Sequence, residues 1–170
     1  MTTHIDLLKK KLCSLTELKS ICNELRKERK TIVFTNGCFD LIHLGHIDYL
    51  SKAADLGNIL IIGLNSDQSV HKIKSPGRPL QDQKSRQMLL AAFSFVDIVV
   101  LFDEETPYNL IREIKPDILV KGGDYKADEV VGADIVTQNG GKVVIFPFVE
   151  GYSTSSIESK IIENFKKQKD

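Results

Sequence analysis

The chain has 170 residues, enough for one domain with a core of its own. Lysine plus arginine and aspartate plus glutamate both number 23, so no net charge draws it to nucleic acid or a membrane surface, and any anion must be gripped locally. Its three cysteines, Cys13, Cys22 and Cys38, are odd in number and share no CxxC spacing, which argues against a disulfide framework and for a reducing cytoplasm.

At the N-terminus, MTTHIDLLKKKLC lacks the apolar stretch of a signal peptide, and the longest apolar run, ILIIGL, is too short to span a bilayer. Both point to a soluble protein of the cytoplasm. Residues 1–30 are predicted as an N-terminal helical segment. Its helix covers 5–29, and Ser14 and Glu17 are spaced as a capping box for the second part. Five short, mostly apolar runs then read as strands buried on both faces: 31–36, 58–64, 97–102, 117–122 and 142–148. Helices are predicted between them near 46–56, 82–94, 107–115 and 128–139, with a last one from about Thr154 that would pack back on the sheet. Thr106 and Pro107 suit a helix start, and Gly57 and Gly140 stand where helices stop. Such alternation implies right-handed crossovers and an α/β fold with a five-stranded parallel sheet.

Ligands of open parallel sheets bind beyond the carboxyl ends of the strands. Those ends carry NGCFDLIHLGH, NSDQSVHKIKSPGRP, KGGDY and VEGYSTSS, with only DEET after the third strand. Neither GxGxxG nor a GKS/GKT phosphate loop occurs, which disfavours a dinucleotide dehydrogenase or P-loop NTPase. The first loop nevertheless has anion-binding chemistry. Gly45 opens a helix whose first N–H groups lack internal partners, and His43 and His46 project from nearly one side of that start. Two imidazoles there could donate to phosphoryl oxygens. The alternatives are a capped helix with two ordinary polar residues, or a zinc pair needing a third ligand such as Asp40 or Asp48.

The stretch GCFDLIHLGH resembles the GxFDxxHxGH signature of the cytidylyltransferase-like nucleotidyltransferases. GLNSD is similar to their second-strand loop and GYSTSSI to their late segment at a helix start, so the likeness runs from about residue 30 to 160. It implies a Rossmann-like three-layer fold and a nucleotidyltransferase domain over residues 31–165. Within the group, TNGCFDLIHLGHIDYL, GLNSDQSV, GRPL, FDEETPYNLI, KPDILVKGGDY and EGYSTSSI most resemble the D-glycero-β-D-manno-heptose 1-phosphate adenylyltransferases in their stand-alone form. The likeness implies AMP transfer from ATP to the sugar phosphate, Mg2+ on the triphosphate, a homodimer, and a separate heptose kinase upstream. Glycerol-3-phosphate cytidylyltransferases carry an arginine before the late segment, which FVEGYSTSS lacks; a cytidylyl transfer and a non-catalytic nucleotide-binding module remain the alternatives.

The acceptor of such a reaction is already anionic, because a phosphate monoester loses its second proton near pH ~6. No general base is needed, and positioning and charge neutralisation remain. The resemblance assigns His43, His46 and Lys121 to catalysis. Asn36, Gly37 and Phe39 form the turn admitting the nucleotide, with Gly45 at the helix start and Asp124 close by. Ser153, Thr154 and Ser155 are expected on the β- and γ-phosphates, with N-capping as the simpler alternative. Asp40 and Asp67 are candidates for sugar hydroxyls or a metal-bound water, or for plain capping. Arg78, in KSPGRPL, is expected to close over the sugar phosphate, and Arg86, whose charge early in the 82–94 helix opposes the dipole, is expected on an anionic substrate group, with a surface salt bridge as the alternative.

Overall fold

The computed structural model describes residues 1–167. Where one N-terminal helix is predicted, the chain makes α1 (His4–Lys9), β1 (Leu12–Cys13) and α2 (Leu15–Lys27). The reason is two capping boxes rather than one: Thr3 with Asp6, and Ser14 with Glu17, each start a helix, and the second cannot lie inside the first. Between them Leu12 and Cys13 pair with Val99 and Val100, so the sheet has six strands, not five.

The predicted strands form as β2 (Ile32–Gly37), β3 (Ile59–Asn65), β4 (Ile98–Phe102), β5 (Ile118–Gly122) and β6 (Lys142–Phe146), and every pairing is parallel. The helices are α3 (Leu44–Ala54), α4 (Asp67–Ile73), α5 (Gln83–Ala91), α6 (Tyr108–Ile114), α7 (Ala133–Gln138) and α8 (Thr154–Lys167). Helix α4 falls in a stretch read from sequence as loop. Its N-cap is Ser66, whose Oγ accepts the Ser69 N–H at 3.2 Å. The helix expected over 128–139 is shortened because Gly132 adopts φ 86°, a left-handed conformation that a helix interior excludes; only a 3-10 turn at Ala127–Glu129 precedes it.

Strand alternation divides the core. Ile32, Phe34 and Ile61 face α2, α6 and α7, through Leu18, Cys22, Leu110, Ile111, Ile114 and Val136. Val33, Leu60 and Ile62 face α3 and α5, through Leu50, Ala53 and Leu90. Three layers result. The last helix departs from expectation: α8 has no buried residue, so it does not pack back into either core.

The strand order is β1-β4-β3-β2-β5-β6. The chain runs outward from β2 through β3 to β4, then returns to β5 on the other side of β2. The order therefore reverses between β2 and β5, and the crevice at their carboxyl ends is where such folds bind ligands. No helix among the described residues is long and apolar enough to cross a membrane.

Candidate active site

A cavity of about 610 Å³ opens at that reversal. β2 delivers Asn36 and Gly37 to it, and β5 delivers Lys121, whose Nζ donates to Asn36 Oδ1 at 3.3 Å. The turn after β2 is bent at Phe39, which holds φ 46° although it is not glycine. Such a conformation is costly and persists only where surrounding contacts enforce it. The Phe39 ring is 5% exposed, lies with its centroid 5.4 Å from that of His46, and packs over Gly37, where a Cβ would stand 3.1 Å from the ring. Glycine at 37 and the strained phenylalanine together put the ring under the histidine.

α3 then begins with His43 as N-cap and His46 in its first turn. Their rings stack with centroids 3.8 Å apart, tilted by 35°. Gly45 makes this possible, since a Cβ there would meet the His43 ring at 3.1 Å. His46 Nδ1 accepts the backbone N–H of His43 at 3.4 Å, which leaves its proton on Nε2. Burial and then the neighbouring His43 push the His46 pKa down to about 4. Burial lowers that of His43 too. Near neutral pH His46 is thus an uncharged N–H donor at the cavity wall. His43 instead lines an adjoining cavity of about 240 Å³ with Ser153, and its Nδ1 is buried without a hydrogen-bond partner among the described residues.

Two cations line the larger cavity without an acidic partner among the described residues, Lys121 and Lys74. Burial lowers the Lys121 pKa; Cys38 opposes this and the charge of Lys74 adds to it. Two ammonium groups that repel each other inside one cleft call for an anion. Lys74 escaped the sequence reading because α4 did. Once Ser66 is recognised as a cap, Lys74 becomes the C-cap of that helix and lies above the strand ends. Cys38 also lines the cavity, but burial raises its thiol pKa, the reverse of what a nucleophilic thiolate requires.

The other predicted residues divide. Thr154 and Ser155 line the larger cavity, and Ser153 the smaller. Asp124 is exposed and lines neither. Arg86 corrects the expectation of a phosphate ligand: it is 0% exposed, and donates to the carbonyls of Gln81 (3.0 Å), Cys38 (2.6 Å) and Asn65 (2.8 Å) and to Asp67 Oδ1 (2.7 Å). Its charge is tolerated early in α5 because those four acceptors, not a ligand, surround it. Asp67 is thereby committed to Arg86 and lies outside the cavity lining, so the sugar-hydroxyl role does not fit it. Asp40 is 7% exposed and accepts the N–H groups of Leu80 and Gln81 at 2.9 Å and Arg78 Nη1 at 2.6 Å. Burial opposes its ionisation, but those donors outweigh it and hold the carboxyl below its ordinary range. Arg78 lines the cavity while pairing with both Asp40 and Glu158. Among the described residues no group of three His, Cys, Asp or Glu side chains could hold a metal ion.

Residues 34–165 match the model of the cytidylyltransferase-like family. The chain belongs to that family. Bifunctional protein HldE of Campylobacter jejuni subsp. doylei is 55% identical over 160 residues, 94% of this chain and 32% of that protein. The protein of the same name from Syntrophotalea carbinolica is 49% identical over 149 residues, 88% of this chain and 30% of its own. The chain thus spans about a third of the length of the curated relatives it matches. Among solved structures, the lipopolysaccharide core biosynthesis protein of Thermoplasma volcanium superposes with a TM-score of 0.59 at 31% identity, over 73% of this chain and 99% of that one. Pantoate-β-alanine ligase of Francisella tularensis, at 17% identity and a TM-score of 0.57 over 86% of this chain and 75% of its own, shares the fold alone. In this cytidylyltransferase-like chain the cavity-wall residues that sequence reasoning missed include Lys74, Glu105 and Glu158, and Thr106, read only as a helix start, lines the wall too. Glu105 and Thr106 come from the DEET loop that had looked uninformative.

Proposed function

We propose that the protein transfers AMP from ATP to D-glycero-β-D-manno-heptose 1-phosphate, giving ADP-heptose and pyrophosphate. The observation carrying this reading is one cavity that gathers a neutral imidazole donor, His46, and two lysines without an acidic partner among the described residues, Lys74 and Lys121. Identity to the HldE proteins over most of the chain, and the heptose-type stretches of the sequence, support the choice of sugar.

The acceptor phosphate is a nucleophile as it arrives, so deprotonation is not part of the task. Lys74 and Lys121 bring two anions together that would otherwise repel. Attack of an acceptor oxygen on the α-phosphorus forms one P–O bond and breaks the bond to the β-phosphate oxygen. The His46 Nε2–H meets the charge that builds on the α-phosphoryl oxygens, in a half-buried place where a fixed donor costs no reorganisation. The turn at Ser153–Ser155 and the His43 side receive the departing pyrophosphate. Mg2+ bound with the triphosphate would supply further charge neutralisation, held mostly by phosphate oxygens and water. A reducing cytoplasm suits the free Cys13, Cys22 and Cys38, and the resemblance supports a homodimer.

Turnover measured across ATP, CTP and GTP against heptose 1-phosphate and glycerol 3-phosphate tests the assignment. ATP with the heptose is expected to be the fastest pair. Faster transfer from CTP to glycerol 3-phosphate would replace the substrate assignment, and nucleotide binding without pyrophosphate release from any pair would make the protein a binding module.

A further inference from the structure

The helix that carries the Ser153–Ser155 turn is held in an unusual way. α8 has fourteen residues and none is buried; Ile161, Ile162 and Phe165 are all exposed. Helices of this fold are ordinarily fixed by an apolar face, and α8 is not. Even so, its first turn contributes Thr154 and Ser155 to the larger cavity and Ser156 to the smaller. Among the described residues, the one side-chain hydrogen bond or ion pair from α8 to another element is that between Glu158 and Arg78. Arg78 in turn puts Nη1 2.6 Å from Asp40 Oδ2, and Asp40 is fixed by the Leu80 and Gln81 N–H groups. The Arg78 side chain is 14% exposed, against 7% for Asp40 and 32% for Glu158. One guanidinium therefore ties the turn after β2, the loop before α5 and the start of α8.

We propose that Arg78 is a positioning residue which, by bridging Asp40 to Glu158, holds the first turn of α8 against the cleft, and that Glu158 rather than substrate occupies the far end of its guanidinium. That the ligand of this turn is the leaving pyrophosphate rests on the adenylyl-transfer reading. Exposed ion pairs contribute little, but this one is mostly buried at the arginine and belongs to a three-member network, where planar bridging of two carboxylates suits arginine and not lysine. A second consequence is electrostatic. Glu158 lines the same cavity as Thr154 and Ser155, so without Arg78 an unpaired carboxylate would face the phosphates.

R78M, E158Q and the double variant separate these roles in the full chain. R78M is expected to raise the KM for ATP about 10- to 100-fold, the loss typical of a charge-assisted contact, to leave the KM for the acceptor within about twofold, and to speed hydrogen exchange over residues 154–167. Adding E158Q to R78M should recover part of the ATP affinity, because the stranded charge is gone. The exchange measurement needs no substrate, and calorimetry with inorganic pyrophosphate needs no acceptor, so both readouts stand even if the heptose assignment fails. If R78M does not fold, R78K keeps one charge but cannot bridge two carboxylates, and is expected to show the same exchange. A rise confined to the acceptor KM with unchanged exchange over 154–167 would make Arg78 a substrate ligand and overturn the proposal. So would strictly additive effects in the double variant.

Discussion

His46 is where sequence, geometry and chemistry meet most closely. Its Nδ1 is occupied by the His43 N–H, its ring is flanked by His43 and Phe39, and only Nε2–H is left for the cleft. Losing one such fixed donor typically costs about 100- to 1000-fold in turnover. His46→Ala should show that loss in kcat with ATP binding largely kept, and His46→Asn should recover part of it; a loss confined to KM would contradict the donor role. The depressed pKa also has a sign. An unfolded His46 titrates near 6.5 and the folded one near about 4, so the unfolded chain binds more protons in between, and stability is lost as pH falls through that window. After discounting for partial exposure the effect is ~1–2 kcal/mol. Chemical denaturation at pH 7 and pH 4.5 should show the wild type losing that much more than His46→Asn. Lys74→Ala, which removes one of the two cations of the cleft, should raise the KM for ATP or for the acceptor by ~10- to 100-fold; an unchanged KM for both would take Lys74 out of anion binding.

At the scale of elements, α4 and α5 show where reading a sequence succeeds and where it stops. The sequence places a helix near 82–94 and the structure forms α5 at Gln83–Ala91, yet the alternation says nothing of what Arg86 meets. Its backbone acceptors are carbonyls from the turn after β2, the end of β3 and the loop before α5, and backbone carbonyls leave no trace in residue type. An arginine that looks like a phosphate ligand because it opposes its own helix dipole is instead the knot that ties those segments. Arg86→Met should therefore lower stability by ~3–5 kcal/mol, since it strands buried acceptors and Asp67. Thermal unfolding would drop by roughly 6–20 °C for a chain of this size. An unchanged melting temperature with impaired kinetics would return Arg86 to the substrate. α4 starts two residues after β3 and runs into KSPGRP, so its polar residues read as part of one loop, and with it Lys74 was lost.

For the whole molecule, the parallel sheet and its ligand-binding rim were legible, because five apolar runs alternate with helices and polar loops cluster at one end of them. The sixth strand was not: β1 has two residues, and only its pairing with β4 makes it a strand. The strand order that places Asn36 beside Lys121 was likewise invisible in a linear chain, and it decides where the site lies. From that site comes the central claim, that the histidines are donors to a single displacement and never carry the adenylyl group. The direct test is the configuration at phosphorus when one diastereomer of ATPαS reacts with heptose 1-phosphate. One in-line attack by the acceptor gives inversion, and inversion is the expected outcome. Retention, which requires two displacements through an adenylyl-histidine, would contradict it.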